Sequence, residues 1–276
     1  MVTNIKKVIE KKNIIILSPH YDDVLLTFGG YLDGLYRSNL IHTKKIRIIN
    51  IFSRTTYQAH DDVGNKDVSL ERIKYATGIR LLEDLECLDE LIGHGNYAYE
   101  LLGERECLLR DKNLETSEAF EFPHGTKDEF GDEDWQIYKR LKEFISELLV
   151  LEDTAILLPM GVKEHIDHIV LREAVVDAKK EIKGKMNAVI YFGEDQPYTG
   201  HTNQEEWEKV EAFLKNNNVL VIDYQVNILH KTDLLFKHYT SQVEESYREG
   251  VHRRAYQLKE QLNSNSEIER IYRVLS

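Results

Sequence analysis

"ILSPHYDDVLL", Ile16 to Leu26, is an apolar run that stops at Pro19, presents one histidine and two adjacent aspartates, and then turns apolar again. It grows out of a β-branched stretch, "NIIIL" (13–17). Comparable runs recur as "KIRIINIF" (45–52), "TAILLP" (154–159), "NAVIYF" (187–192) and "NVLVIDY" (218–224). These runs are apolar nearly throughout rather than alternating, as strands buried on both faces of a parallel sheet are. Between them lie segments with helical spacing: Phe28–Tyr36, Leu70–Leu91, Trp135–Leu149, Ile169–Glu181, Glu205–Leu214, and a late stretch from about Asn227 to Leu262. The alternation predicts an α/β fold, a Rossmann-like three-layer sandwich around a mostly parallel sheet. Ligands of such folds bind beyond the carboxyl ends of the strands, at a topological switch point, and "SPHYDD" falls at such an end. The 276 residues read as one domain, with the polar, Gly- and Pro-broken segment 93–134 as an insertion or lid. A plain surface loop accounts for that segment equally well.

Composition narrows the function. A net charge of −12 argues against a nucleic-acid or anionic-membrane binder. Two cysteines, Cys87 and Cys107, without a CxxC pair indicate neither a disulfide framework nor a thiolate zinc site. The N-terminal "MVTNIKKVIEKKNIIIL" lacks a signal-peptide pattern, and no apolar segment approaches the roughly 18 residues that span a bilayer. A cytoplasmic setting follows as the expectation.

Two polar clusters carry the chemistry. In the first, His20, Asp22 and Asp23 follow a strand and precede "FGG" (28–30). Capping of the next helix explains the aspartates as well as ligation does. In the second, "LLPMGVKEHIDHIVLREA" (157–174), a strand ends at Pro159 and a loop leads to His165, Asp167 and His168. His165 and His168 are three apart and share a face near a helix start. Nitrogen and oxygen donors without thiolate suit zinc, or a related divalent ion, in an open catalytic site.

The strand followed by "PHYDDVLLTFGG" and the later "HIDH" resembles the PIG-L/LmbE-like deacetylases, zinc-dependent enzymes that hydrolyse N-acetyl groups of amino sugars. Softer matches run along most of the chain: "IFSRTTY" (51–57), "RLLEDLECL" (80–88), "YFGEDQPY" (191–198) and "KTDLLFKHYTSQ" (231–242). The resemblance implies His20, Asp23 and His168 as ligands of one zinc or other divalent ion. It implies Asp22 as the general base toward the attacking water. It gives His165 as the group that stabilises the tetrahedral intermediate or protonates the leaving amine. Asp167 is then a supporting carboxylate or a helix cap. Tyr21 and Val24 stand where the family usually has proline and glutamate.

For the substrate, the resemblance points to Arg80 and position to Arg54, with Tyr198, Asp195 and His201 as further candidates around Pro197. Tyr239 and Gln242 are expected to brace the late helix, and His94, His124, His230, His238 and His252 to be structural. The function expected is metal-dependent removal of an N-acetyl or other N-acyl group from an amino sugar, free or in a glycoconjugate. The alternative is a nucleotide-sugar-binding or glycosyltransferase-like Rossmann protein without hydrolase activity, but no Gly-x-Gly-x-x-Gly follows the first strand.

Overall fold

The computed structural model describes residues 2–110, 123–182 and 184–275. Its strands are β1 (Asn13–Ser18), β2 (Lys45–Asn50), β3 (Tyr97–Leu101), β4 (Thr154–Pro159), β5 (Val189–Gly193), β6 (Val219–Gln225) and β7 (Ile268–Val274). They form one sheet in the order β3-β2-β1-β4-β5-β7-β6. Every pairing from β3 to β5 is parallel, and β7 lies antiparallel between β5 and β6. The main helices are α1 (Asp23–Arg37), α2 (Leu70–Ile92), α3 (Asp132–Leu149), α4 (Ile166–Ile182), α5 (Gln204–Asn216), α6 (Ile228–His238) and α7 (Glu245–Gln261).

The two-residue period of a strand sends alternate side chains to opposite faces, and here both faces are covered. Ile15 and Leu17 of β1 pack with Ile156 and Leu158 of β4 against Leu141 and Ile145 of α3 and Ile169 and Ala174 of α4. Ile14 and Ile16 join Ala155 and Leu157 on the other side, under Leu25, Phe28 and Leu32 of α1 and Leu88 of α2. That is the three-layer sandwich expected from near-continuous apolar strands.

Two strands were not expected from the sequence. β3 lies inside the segment 93–134 and forms the edge of the sheet next to β2, so part of that segment belongs to the central layer. Its residues 111–122 lie outside the described residues. β7 fills the gap between β5 and β6. The late helical stretch is two helices, α6 and α7, because the residues between them bond to α2 instead. Glu83 accepts from Thr240 Oγ1, Ser241 N and Oγ, and Gln242 Nε2, while Asp84 accepts from the Tyr239 hydroxyl at 2.5 Å. Side chains that satisfy backbone and polar groups locally end a helix in this way.

The chain steps one way from β1 through β2 to β3 and the other way from β4 to β5. The switch point therefore lies between the carboxyl ends of the adjacent strands β1 and β4, at Ser18 and Pro159.

Candidate metal centre

β1 delivers the first cluster through a tight turn. Ser18 Oγ donates to the His20 carbonyl at 2.7 Å, and the His20 N–H donates to Asp23 Oδ2 at 2.8 Å. Asp22 stands at the N-cap of α1, yet its side chain makes no capping hydrogen bond. Asp23 is turned back toward His20. The structure thus decides against capping as the reason for the two aspartates.

β4 delivers the second cluster through the loop 160–165. Gly161, Lys163 and Glu164 all have left-handed backbone there, with φ of 77°, 61° and 58°. For the two side-chain-bearing residues this conformation is strained, and the loop must be held by its surroundings. Asp195, past the end of β5, does so: it accepts the N–H groups of Met160, Gly161 and Val162 at 3.0–3.1 Å.

Three donor atoms converge. His20 Nδ1 lies 3.3 Å from Asp23 Oδ2, Asp23 Oδ2 lies 3.2 Å from His168 Nε2, and His168 Nε2 lies 3.4 Å from His20 Nδ1. A tetrahedral ion with bonds of about 2.0–2.1 Å spaces its ligands roughly 3.3–3.4 Å apart. The triangle's edges of 3.2–3.4 Å lie close to that spacing. The remaining nitrogen of each imidazole meets a buried carboxylate, His20 Nε2 on Asp167 Oδ2 at 2.9 Å and His168 Nδ1 on Asp195 Oδ1 at 2.6 Å. Such outer carboxylates fix the ring and its tautomer for ligation. The imidazoles of His20, His165 and His168 also each bring a nitrogen within 4.8 Å of the others, a looser set than the triangle.

The electrostatics fit a cation. Burial alone would lower the His20 pKa, but hydrogen bonds with Asp167 and Asp23 outweigh it and push it up to about 9. Burial is likewise overcome at His168, which Asp23 and Asp195 raise well above the ordinary value. The carboxylates around these rings favour positive charge, which a divalent ion could supply in place of protons. Asp22 responds the other way: burial, then the neighbouring Asp23, raises its pKa. Burial, then His20 and His168, holds His165 well below the usual imidazole range. This favours the neutral form of His165.

A cleft of about 630 Å³ opens over the triangle. Asp22, His165 and Arg80 line it, with Glu106, Leu108 and Pro123. So does an aromatic group of Tyr57, Tyr198 and Tyr247. Arg80 is 4% exposed and mostly committed. Its Nε donates to Gln242 Oε1 at 2.6 Å and its Nη1 to Thr55 Oγ1 at 2.9 Å, while Nη2 lies 3.9 Å from Asp22 Oδ1. Gln242 thus braces this arginine as well as the helix end.

Other expected residues lie elsewhere. Arg54 is exposed and not among the residues lining the cleft, because its backbone pairs with Arg105 and carries it past the rim. Asp195 is buried behind His168 rather than facing the cleft, and His201 bonds to the Ser246 carbonyl at 3.0 Å. Sequence reasoning missed Tyr57, Tyr247 and Glu106, and also Arg110, whose guanidinium pairs with Asp167 at 2.5 Å and Asp134 at 2.8 Å. Glu106 accepts from Thr56 N at 2.8 Å and so fixes the strand-end loop that carries Tyr57.

No protein-family model and no curated protein sequence matches the chain. Solved structures do. The zinc-inhibited form of a teicoplanin deacetylase superposes with a TM-score of 0.63 at 16% identity, covering 95% of this chain and 98% of that one. A deacetylase of the antimicrobial A40926 pseudoaglycone gives 0.59 at 14% identity, covering 96% and 98%. The N,N'-diacetylchitobiose deacetylase from Pyrococcus horikoshii, complexed with an inhibitor, gives 0.56 at 14% identity, covering 99% and 87%. The chain has the fold of the PIG-L/LmbE-like deacetylases.

Proposed function

We propose that the protein is a zinc-dependent hydrolase that removes an N-acetyl group from an amino sugar, free or within a glycoconjugate. The observation that carries this is the donor triangle of His20, Asp23 and His168 at the switch point of a fold shared with solved deacetylases, with Asp22 beside it. One ion per chain would be held by those three groups, leaving a position open. Zinc held there would supply Lewis-acid chemistry, making bound water acidic and polarising the amide carbonyl.

Asp22 accepts the proton of the attacking water, and burial, then the neighbouring Asp23, raises its pKa, as suits a carboxylate that takes a proton and later returns it. Arg80 Nη2, 3.9 Å from Asp22 Oδ1, attracts its carboxylate by charge without a hydrogen bond. The neutral His165 donates an N–H to the oxygen on which negative charge develops, as a preorganised donor requires. Protonated Asp22 then passes its proton to the departing amine. Tyr57, Tyr198 and Tyr247 offer flat faces for a pyranose ring, and the committed hydrogen bonds of Arg80 leave Nη2 for a sugar hydroxyl. Among the described residues no helix is long and apolar enough to cross a membrane. Two free, buried thiols accord with a reducing, cytoplasmic setting.

The test is Asp22→Asn, assayed for metal content and for acetate release from N-acetylglucosaminides. Full metal with turnover reduced by about 100-fold or more is expected for loss of a general base. Turnover near wild type would refute the assignment.

A further inference from the structure

The described residues hold a second group of donors. Cys107, His165 and Asp167 each bring one ligating atom, a thiol sulfur, an imidazole nitrogen and a carboxylate oxygen, within 4.8 Å of the other two. They come from three places in the fold: the helical turn Cys107–Leu109, the end of the loop after β4, and the first turn of α4. Cys107 and Asp167 are buried, and Cys107 lines the cleft together with His165.

Asp167 is already fixed. Arg110 pairs with its Oδ1, while His20 Nε2 and the Cys107 N–H meet its Oδ2 at 2.9 and 3.0 Å. A carboxylate offers about four lone-pair sites; the fourth meets the Cys107 thiol, whose proton a metal ion would displace. Thiolate, imidazole and carboxylate together suit a borderline-soft or soft ion such as zinc or cadmium, and not magnesium or calcium. The chemistry proposed above makes no use of the Cys107 sulfur.

We propose that Cys107, His165 and Asp167 form a second, inhibitory site for a thiophilic divalent ion, filled after the first. As the sulfur–metal bond forms, the thiol proton leaves to solvent. Two dications held by adjoining donors repel one another, so the second binds more weakly. An ion seated there fixes the His165 ring and takes up cleft space beside it. The inhibitory part rests on the role given to His165 in the deacetylase reading; the binding part does not.

The experiment loads the protein with one equivalent of zinc and then titrates cadmium, comparing wild type with Cys107→Ser. Equilibrium dialysis counts the ions, ultraviolet thiolate-to-cadmium charge-transfer absorption reports sulfur ligation, and thermal unfolding checks that the variant folds. The first site contains no sulfur, so it contributes no such band. Wild type is expected to take a second ion with the band, and Cys107→Ser neither. Acetate release by wild type, measured against its own basal rate, is expected to be lost as zinc exceeds one equivalent, and release by Cys107→Ser is not. A single ion in wild type, or the same second ion and band in Cys107→Ser, overturns the site. Equal inhibition of both proteins overturns the inhibitory role. Ion count and band are read without substrate, so they stand or fall apart from the deacetylase reading.

Discussion

Asp195→Asn changes one atom and should cost the protein its metal. Asp195 Oδ1 faces His168 Nδ1 at 2.6 Å and the Gly161 N–H at 3.1 Å, while Oδ2 accepts from Met160 N at 3.0 Å and Val162 N at 3.1 Å. An asparagine must place an NH₂ group at one of these two positions. With the amide nitrogen in place of Oδ2, the Val162 N–H is left unpaired while the Met160 N–H keeps the Gly193 carbonyl at 3.0 Å, costing about 1–3 kcal/mol. With the nitrogen in place of Oδ1, only the Gly161 N–H is left unpaired, at about 1–3 kcal/mol. Each arrangement thus leaves one donor unpaired, and in the second the NH₂ requires His168 Nδ1 to accept. The ring proton then moves to Nε2, the atom that points into the donor triangle. The variant should therefore fold with a melting temperature lowered by several degrees. Its affinity for zinc should fall by about 10–100-fold or more. Chelator competition measures the affinity and calorimetry the unfolding. A folded variant with wild-type zinc affinity would refute the assignment of His168 as a ligand oriented by Asp195.

Two further expectations follow from the packing around the cleft. A Cβ on Gly200 would sit 1.9 Å from the Gly250 carbonyl oxygen, backbone against backbone. Gly200→Ala should therefore destabilise by about 1–3 kcal/mol and push α7, with Tyr247, away from the cleft; a raised KM together with a lowered Tm checks this, and an unchanged Tm contradicts it. Burial pushes the Asp84 carboxyl up to about 8, despite hydrogen bonds from Tyr239 and Tyr99. Between its unfolded value near 4 and about 8 the folded chain holds a proton that the unfolded chain has released. This group's contribution is present at low pH and is lost as pH rises through that window, by up to about 1.4 kcal/mol per pH unit. Asp84→Asn should flatten the fall of Tm between pH 5 and 8, and parallel profiles would contradict it.

What the sequence could and could not reveal follows from where each residue's partner lies. β1, β2, β4, β5 and β6 stand out because burial on both faces demands apolar runs. β7 does not, since Glu269 and Arg270 interrupt it. Their charges are answered only in the fold, Glu269 by Lys231 and by Tyr224 at 3.1 Å, Arg270 by Asp223 at 2.6 Å. β3 is a half-exposed edge strand, and its tyrosines and glutamate look like loop residues. Lys231 shows why "KTDLLFKHYTSQ" carried a signal: buried at 2% exposure, it donates to the Leu26 carbonyl at 2.7 Å and Gln196 Oε1 at 3.0 Å, pinning α6 to the cleft floor.

The same distinction divides the site. His20 with Asp23, and His165 with His168, are local spacings on one turn and one helix face, so the donor clusters were legible. Asp195 reads in the sequence as a pocket-lining residue because it directly follows the "NAVIYF" strand. Only the return of the chain past β5 brings it under His168, 27 positions away. Arg110 reaches Asp167, and Tyr247 reaches the cleft, by tertiary contacts that no periodicity encodes. Arg54 lies outside the cleft lining for the converse reason, since a strand-end position does not fix where a long side chain points.

The most direct test of the central claim is the metal content of the purified protein, wild type beside His168→Ala, with acetate release measured on a panel of N-acetylglucosaminides. About one zinc per chain with acetate release, both lost in His168→Ala, is the predicted result. A wild-type protein that binds no divalent metal, or a His168→Ala variant that keeps both metal and turnover, would contradict the account.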